Sequence, residues 1–436
     1  LIVTHNLNGH QLKYTMGIMD YEEEAFESSW GSSTVFFPVD RFQEFKQTSH
    51  ELQLSSTSNG SLSYVAGLYY LEADSFITSG PIQPFTVNHE AEAQAMYGEL
   101  TYDFANDWSI TLGARYTEED KQMESYSWPP VVGDPDRIAN NTDPSVLQMY
   151  ATPSFSDDNI TYRAVLQRDF SIGMAYASYS TGFRSGGFFN RGTTPSEVAP
   201  YQSEEVESIE IGIRTNPTEN TQLNITYFNA EYTDMQLNVI TPASFPECGK
   251  GGAAEDAAGI TCSYQKNVGE TSQDGIEIEA VWMPTQATTL RLSLGTLDTS
   301  FDEYDYNGVD VSGNAHMLYA PELTYSISGE QKVQMLGGEL ILAANFSFQD
   351  EVYTQTPWAI YDPATFPRVT IPSWEALDVS ATYLRDTESG TFKFIVYGTD
   401  VLEDGNREQR KFTTGSFTWT ELAPRQQFGV TIGYEF

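Results

Sequence analysis

Apolar and polar side chains alternate along most of this chain with a period of two, most fully from Met96 to Glu119. On the first arm of that stretch Gly98, Leu100, Tyr102 and Phe104 share one face, and Tyr97, Glu99, Thr101 and Asp103 share the other. A turn at Ala105-Asn106-Asp107 follows. The second arm sets Trp108, Ile110, Leu112, Ala114 and Tyr116 against Ser109, Thr111, Gly113, Arg115 and Thr117. That is the side-chain period of a β-strand with one apolar and one polar face. Each arm runs about ten residues or more, against the five or six of an ordinary soluble strand. A strand crossing a bilayer at a steep tilt needs about that length. The apolar face therefore looks either into a core or out into lipid.

The same alternation recurs at Leu12, Tyr14, Met16 and Ile18, and at Leu62, Tyr64, Ala66, Leu68 and Tyr70. It returns at Ile209, Ile211 and Ile213, then at Ile276, Ile278, Ala280 and Trp282. The last segment is Phe428, Val430, Ile432, Tyr434 and Phe436. Counting arms predicts about seventeen strands, and no helical period interrupts them. The connectors alternate in length. Short ones carry the Asn, Gly and Pro of tight hairpin turns, as at Asn8-Gly9, Asn216-Pro217-Thr218-Glu219, Gly337-Gly338 and Glu388-Ser389-Gly390. Long ones are expected over Glu27 to Asp40, Ser75 to Val87, Gln122 to Asp158 and Ser185 to Pro200. Four more span Thr241 to Ile260, Asp302 to His316, Thr354 to Pro372 and Glu403 to Pro424. Long structureless loops are rare in compact soluble domains, whereas short turns at one end and long loops at the other are the plan of outer-membrane barrels. The fold class this predicts is all-β: a transmembrane antiparallel up-and-down β-barrel, its long loops extracellular and its short turns periplasmic.

Composition narrows the choice. At 436 residues the chain could make two or three soluble domains or one very large barrel. Hydrophobic residues reach only 40%, yet aromatics reach 13%, with 26 Tyr and 25 Phe. A barrel wall needs that balance, because half of each strand meets lipid and aromatic girdles mark both interfaces. No run of about eighteen apolar residues exists, so spanning helices are excluded. Net charge is -39, from 61 acidic and 22 basic residues, which excludes nucleic acid as a partner. The opening Leu1-Ile2-Val3-Thr4 lacks the basic and apolar regions of a signal peptide and reads as the end of a strand.

No catalytic constellation emerges, so the chain is not expected to be an enzyme. His5, His10, His50, His89 and His316 are scattered, without the spacing of a zinc site. No Gly-x-Ser-x-Gly elbow is present, and Gly249-Lys250-Gly251-Gly252 lacks the ending of a phosphate loop. Asp302, Asp305, Asn307 and Asp310 could offer oxygens to calcium, but the spacing falls short of an EF-hand loop, and an acidic solvated loop is the simpler account. No cofactor is implied. Cys248 and Cys262, in one Gly/Ala-rich connector, could bridge if their Cα atoms come within about 7 Å, or remain two thiols.

Several motifs then occur in order. Glu51-Leu52-Gln53-Leu54 precedes Tyr64-Val65-Ala66-Gly67-Leu68-Tyr69-Tyr70, and Leu112-Gly113-Ala114-Arg115-Tyr116-Thr117 follows. The most specific is Tyr176-Ala177-Ser178-Tyr179-Ser180-Thr181-Gly182-Phe183-Arg184-Ser185-Gly186-Gly187-Phe188. After it come Glu204 to Gly212, with Ser203 where a Pro is usual, then Asn229 to Gln236, and Asn267-Val268-Gly269 through Glu279. The closing strand ends in Phe436. Nearly the whole chain thereby resembles the barrel of TonB-dependent outer-membrane receptors.

The resemblance implies a receptor in the outer membrane of a Gram-negative bacterium. It would import a scarce nutrient, most commonly a ferric siderophore, with haem, cobalamin and oligosaccharides taken by relatives. Energy would come from an inner-membrane TonB complex acting on an N-terminal plug. Outer-membrane lipid, that complex and a small-molecule ligand are thus the expected partners. No plug or energy-coupling box is visible here. A plugged barrel of this kind has roughly 22 strands, so about seventeen arms are expected to be a fragment, residues 1–436 forming the later part of a larger wall. Arg184, Phe188, Phe189 and Arg191 leave the diagnostic strand where it should emerge from the membrane and are candidate ligand contacts, since Arg pairs with carboxylate or catecholate oxygens. A girdle-and-loop role is the alternative. Phe436 would serve as a barrel-assembly signal, and the oxidising compartment favours a Cys248–Cys262 disulfide. Rival readings are a passive porin-type channel and a soluble extracellular β-rich glycan-binding protein.

Overall fold

The computed structural model describes residues 1–28, 38–57, 60–81, 84–104, 107–129, 144–242, 244, 248, 261–306, 309–354, 369–402, 407–413 and 418–436. Its main sheet holds 19 strands, two of them short spurs at Met149–Ala151 and Val309–Asp310. The other seventeen form one antiparallel meander. In chain order they are β1 (Ile2–Leu7), β2 (His10–Ser28), β3 (Pro38–Ser56), β4 (Leu62–Pro81), β5 (Phe85–Phe104) and β6 (Trp108–Ser127). Next come β7 (Ser154–Phe170), β8 (Gly173–Arg184), β9 (Glu204–Thr218), β10 (Thr221–Thr233), β11 (Gly269–Thr285) and β12 (Thr288–Tyr306). The last five are β13 (Leu323–Met335), β14 (Gly338–Gln349), β15 (Trp374–Thr387), β16 (Gly390–Thr399) and β17 (Gln427–Glu435). Each pairs with its neighbours in sequence, and among the described residues no pairing joins β1 to β17. The seventeen expected arms are present as an up-and-down sheet. Among the described residues no helix is long and apolar enough to cross a membrane, which says nothing about strands.

The connections keep the short–long alternation except between β4 and β5, which only residues 82–84 separate. At the turn end, Leu336 and Gly337 both take left-handed φ, 51° and 73°, the twist that two-residue hairpins require. At the other end the strands outrun the expectation. Ser75 to Val87 was expected as a loop, yet β4 continues to Pro81 and β5 begins at Phe85. Six strands, β2 to β6 and β12, reach 19 or 20 residues. The reason is solvation. Past the lipid both faces can be polar, so the apolar rows fade from the sequence while the backbone ladder goes on.

Exposure identifies the two faces. Leu68, Met96, Leu112, Ile211 and Ile432 all lie open on one face, Ile432 at 69% exposure. A soluble core would bury such residues; here they form a continuous apolar surface. The opposite face is polar and cross-linked. Tyr97 stands directly across from Gly67, whose missing side chain leaves room for the ring: a Cβ there would lie 2.4 Å from it. The Tyr97 hydroxyl donates to Glu51 at 2.6 Å, and the Arg115 guanidinium lies 5.5 Å from the Tyr69 ring and 5.7 Å from that of Tyr97. This polar face is the inner one, because the loop after β8 folds onto it. Val198 and Phe188 pack there against Phe85, Val87, Met123 and Met149.

The faces differ in what a charge costs. Leu112→Arg places a guanidinium near mid-bilayer and is expected to destabilise folding into micelles or vesicles by about 2–4 kcal/mol. Thr111→Arg is expected to be mild, because Thr111 faces inward, bonded only to Thr101 at 2.8 Å. Urea titration of the two variants measures the asymmetry; equal costs would contradict the assignment of faces.

Candidate functional site

A recess of about 400 Å³ opens on the inner face at the loop end. Its wall side comes from inward positions near the loop end of β5 and β6, His89 and Lys121, and from Arg184 at the end of β8. Gly186, Gly187, Phe188 and Tyr201 come from the β8–β9 connection. Gln236 and Gln265 come from a ribbon, Gln236–Pro242 paired with Thr261–Asn267, that rises between β10 and β11.

Hydrogen bonds fix Lys121, Arg184 and Gln236. Lys121 Nζ donates to Ser185 Oγ at 2.8 Å and to the Gly186 carbonyl at 2.9 Å, and pairs with Glu119 at 2.9 Å. Arg184 donates to Glu204 at 3.0 Å and to the Gln236 carbonyl at 3.1 Å. Gln236 is the latch of the arrangement. Its backbone N–H donates to Glu204 at 2.6 Å, and its side-chain nitrogen lies 3.0 Å, 3.2 Å and 3.0 Å from the carbonyls of Arg184, Ser185 and Gln202. Asn267 makes a parallel latch, donating to the carbonyls of Gln202 at 2.9 Å and Asp234 at 2.7 Å. Ser203 bridges Asp157 and the Gly186 N–H, so the departure from Pro supplies a hydroxyl here. Burial pushes the Tyr201 phenol pKa up, opposed by the nearby Arg184, which keeps the hydroxyl neutral and able to donate.

The four expected contacts do not converge. Arg184 and Phe188 line the recess, Phe188 edge-on to His89 with centroids 6.0 Å apart. Phe189 instead packs on a second cluster, built from Val239, Tyr264, Val268, Tyr304 and the two cysteines. Arg191 is exposed. Gly186 permits a close approach of the chain: a Cβ on it would stand 2.2 Å from the Tyr201 carbonyl. Lys121, Gln236 and Tyr201 were missed. Only Gln236 had a signal, as the last residue of a motif already noted.

The remaining candidates separate. Cys248 and Cys262 form a disulfide, their Cα atoms 5.4 Å apart, and Thr194 from the β8–β9 connection donates to the Cys248 carbonyl at 3.1 Å. Asp302 accepts from Ser272, Asp305 pairs with Lys266 at 3.8 Å, and Asp310 accepts the N–H groups of Tyr304 and Ser312. Those N–H bonds hold the Asp310 carboxyl below its usual pKa. Asn307 lies outside the described residues, and no group of three ligand-type side chains gathers among those described. His10 and His50 bond Tyr64 and Tyr14 on the outer face, while His316 stacks on Tyr353 at 3.8 Å. Phe436 ends the apolar outer face almost fully exposed.

Removing the latch tests this description. Gln236→Ala leaves carbonyls without their donor at a buried position, a local cost of about 1–3 kcal/mol. Hydrogen exchange is expected to quicken in residues 185–203 and 236–242 while β4 to β6 keep their protection. Unchanged exchange in the loop would show that Gln236 holds nothing.

No curated protein sequence matches the chain. Solved structures do. The ferric yersiniabactin uptake receptor FyuA from Yersinia pestis superposes with a TM-score of 0.74 at 16% identity, covering 99% of this chain and 60% of that one. The siderophore receptor PiuA from Acinetobacter baumannii gives 0.69 at 15%, covering 99% and 63%. The copper transporter OprC gives 0.64 at 10%, covering 98% and 62%. At such identities the likeness establishes the barrel fold, and the chain spans about 60% of the first of these structures. The sequence itself matches the family described as TonB dependent receptor-like, beta-barrel, over residues 3–395. Together with the seventeen-strand wall and the inner recess, that match makes this chain a member of the TonB-dependent receptor β-barrel family.

Proposed function

We propose that this chain forms the greater part of the barrel wall of an outer-membrane receptor that imports a ferric siderophore in a Gram-negative bacterium. The observation that carries the reading is the recess itself. In a chain with only 22 basic residues, an ammonium and a guanidinium line one inner pocket together with two amides, a phenol and a phenyl ring. Cations, amides and a hydroxyl suit the oxygen-rich donors of a siderophore, and rigid rings supply contact area at low entropic cost. Glu119 and Glu204 hold the two cations in place, so the site selects by hydrogen bonding as well as by charge. Structural relatives include receptors named for ferric yersiniabactin and for siderophores, and one named as a copper transporter, so the fold leaves the ligand to the loops.

The reading makes the protein a carrier that breaks no bond. Work would come from an inner-membrane TonB complex, acting through a plug in the full receptor. A larger wall is supported by the edges of β1 and β17, each paired on one side only among the described residues, and by the 60% span of FyuA. In that setting the connections at the recess end face outside and the hairpin turns face the periplasm.

Binding to the full receptor in detergent, followed by tryptophan fluorescence over a panel of ferric siderophores, haem and cobalamin, tests the proposal. A ferric siderophore is expected to bind, and Lys121→Ala to weaken it about tenfold through loss of the cation and of the tether that holds Ser185 and Gly186 at the recess. Binding of haem or cobalamin alone, or a Lys121→Ala affinity equal to that of the parent, would overturn it.

A further inference from the structure

The recess holds polar groups of two kinds, those spent on the loop and those left over. Lys121 directs its ammonium donors at Ser185, at the Gly186 carbonyl and at Glu119. Arg184 is tied to Glu204 and to the Gln236 carbonyl. His89, Tyr201 and Gln265 line the same recess, yet among the described residues none of their side chains makes a hydrogen bond or ion pair. His10 and His50, by contrast, each share a bond of 2.7 Å with a tyrosine hydroxyl. An oxygen entering the recess therefore finds its open partners in His89, Tyr201 and Gln265.

His89 stands on the inward side of β5, clear of the lipid. Outward positions on that strand are polar from Gln94 to Asn88, beyond Met96 of the apolar surface. The ladder partners of His89 are Ser75 on β4 and Met123 on β6, both uncharged. Lys121 pairs with Ala91, so its side chain approaches the ring along a diagonal of the ladder. Phe188 covers the ring from the loop, edge-on at 6.0 Å. Asp74 and Glu90 lie close along the backbone, but their side chains belong to the outward rows. Among the described residues no carboxylate balances the ring, because Glu119 is held by Lys121 and Glu204 by Arg184. Burial, and then the Lys121 charge, lower the His89 pKa below the usual histidine value. The free protein thus carries a neutral imidazole there near neutral pH.

An anionic chelate reverses that balance. A neutral imidazole offers one donor and one acceptor, whereas an imidazolium offers two donors and a charge. Negative oxygens beside His89 offset the Lys121 charge that opposes protonation, and so favour the imidazolium. We propose that His89 takes up a proton as an anionic ferric chelate docks, so that the recess prefers anionic to uncharged chelates and binds them more tightly in mild acid. The proton comes from solvent onto a ring nitrogen, which then donates to a chelate oxygen. The inference rests on the siderophore reading above and names, within it, the class of chelate. At about pH 8 the ring is neutral both free and bound, and adds nothing. Affinity rises as the pH falls through the bound-state value, and the gain is complete below the lower free-state value.

Fluorescence titration of the full receptor in detergent, from about pH 8 to about pH 5.5, tests this across the histidine range. The probes are a ferric tris(catecholate), which is a trianion, and a ferric tris(hydroxamate), which carries no net charge. Over that range the parent is expected to gain about tenfold in affinity for the trianion relative to His89→Gln, whose side chain stays neutral. Taking the ratio to the variant removes the chelate's own protonation. Calorimetry at about pH 6.5, in buffers of different ionisation heat, is expected to show proton uptake in the parent that the variant lacks. The uncharged chelate is expected to show neither effect. Heat-modifiable mobility reports whether the variant is folded, and proton uptake by the parent is read without it. No proton uptake in the parent, equal pH profiles in parent and variant, an equal gain with both chelates, or binding of the uncharged chelate alone would overturn the inference. Binding of no ferric siderophore at all would instead refute the reading on which it rests.

Discussion

Backbone hydrogen bonding in a medium without water is the constraint on which this structure depends. A strand in lipid must place every N–H and C=O on a neighbour, so the chain can cross only as part of a continuous sheet. That requirement explains why seventeen strands pair in sequence order and why one end carries two-residue turns. It also frees the side chains. With the backbone satisfied by the ladder, one face can be wholly apolar and the other can carry tyrosines, glutamates and arginines in register.

Packing is consequently inverted relative to a soluble domain. The buried clusters lie at one end, where the strand ends at Phe85, Val87 and Met123 meet Met149 and Val198 of the connections, and where the disulfide packs near Tyr304 and Val268. These clusters and the Gln236 and Asn267 latches hold the loops against the inner wall and so give the recess a defined shape. The wall thus supplies the continuous ladder, and the connections at one end supply most of the recess lining.

The wall was legible because period-two alternation is a local signal with a face, as from Trp108 to Tyr116. Strand ends at the loop side were not legible, because beyond the lipid both faces are wet; Ser75 and Val87 read as loop although they lie in strands. The recess was legible only at Arg184 and Phe188. Their partners stand far along the chain: Glu204 is 20 residues from Arg184, and Gln236 is 52. Lys121 sits in a polar run where nothing local separates an inward ammonium from an outward one.

The claim beneath all of this is that the apolar face of β6 meets lipid. Nitroxide labels placed singly from Ser109 to Thr117 in vesicle-reconstituted protein, with accessibility to oxygen compared with that to a water-soluble nickel relaxant, test it most directly. Oxygen accessibility is expected to alternate with every residue and to peak at Ile110, Leu112, Ala114 and Tyr116. A uniform profile, a period near that of a helix, or peaks at Thr111, Gly113 and Arg115 would contradict the account.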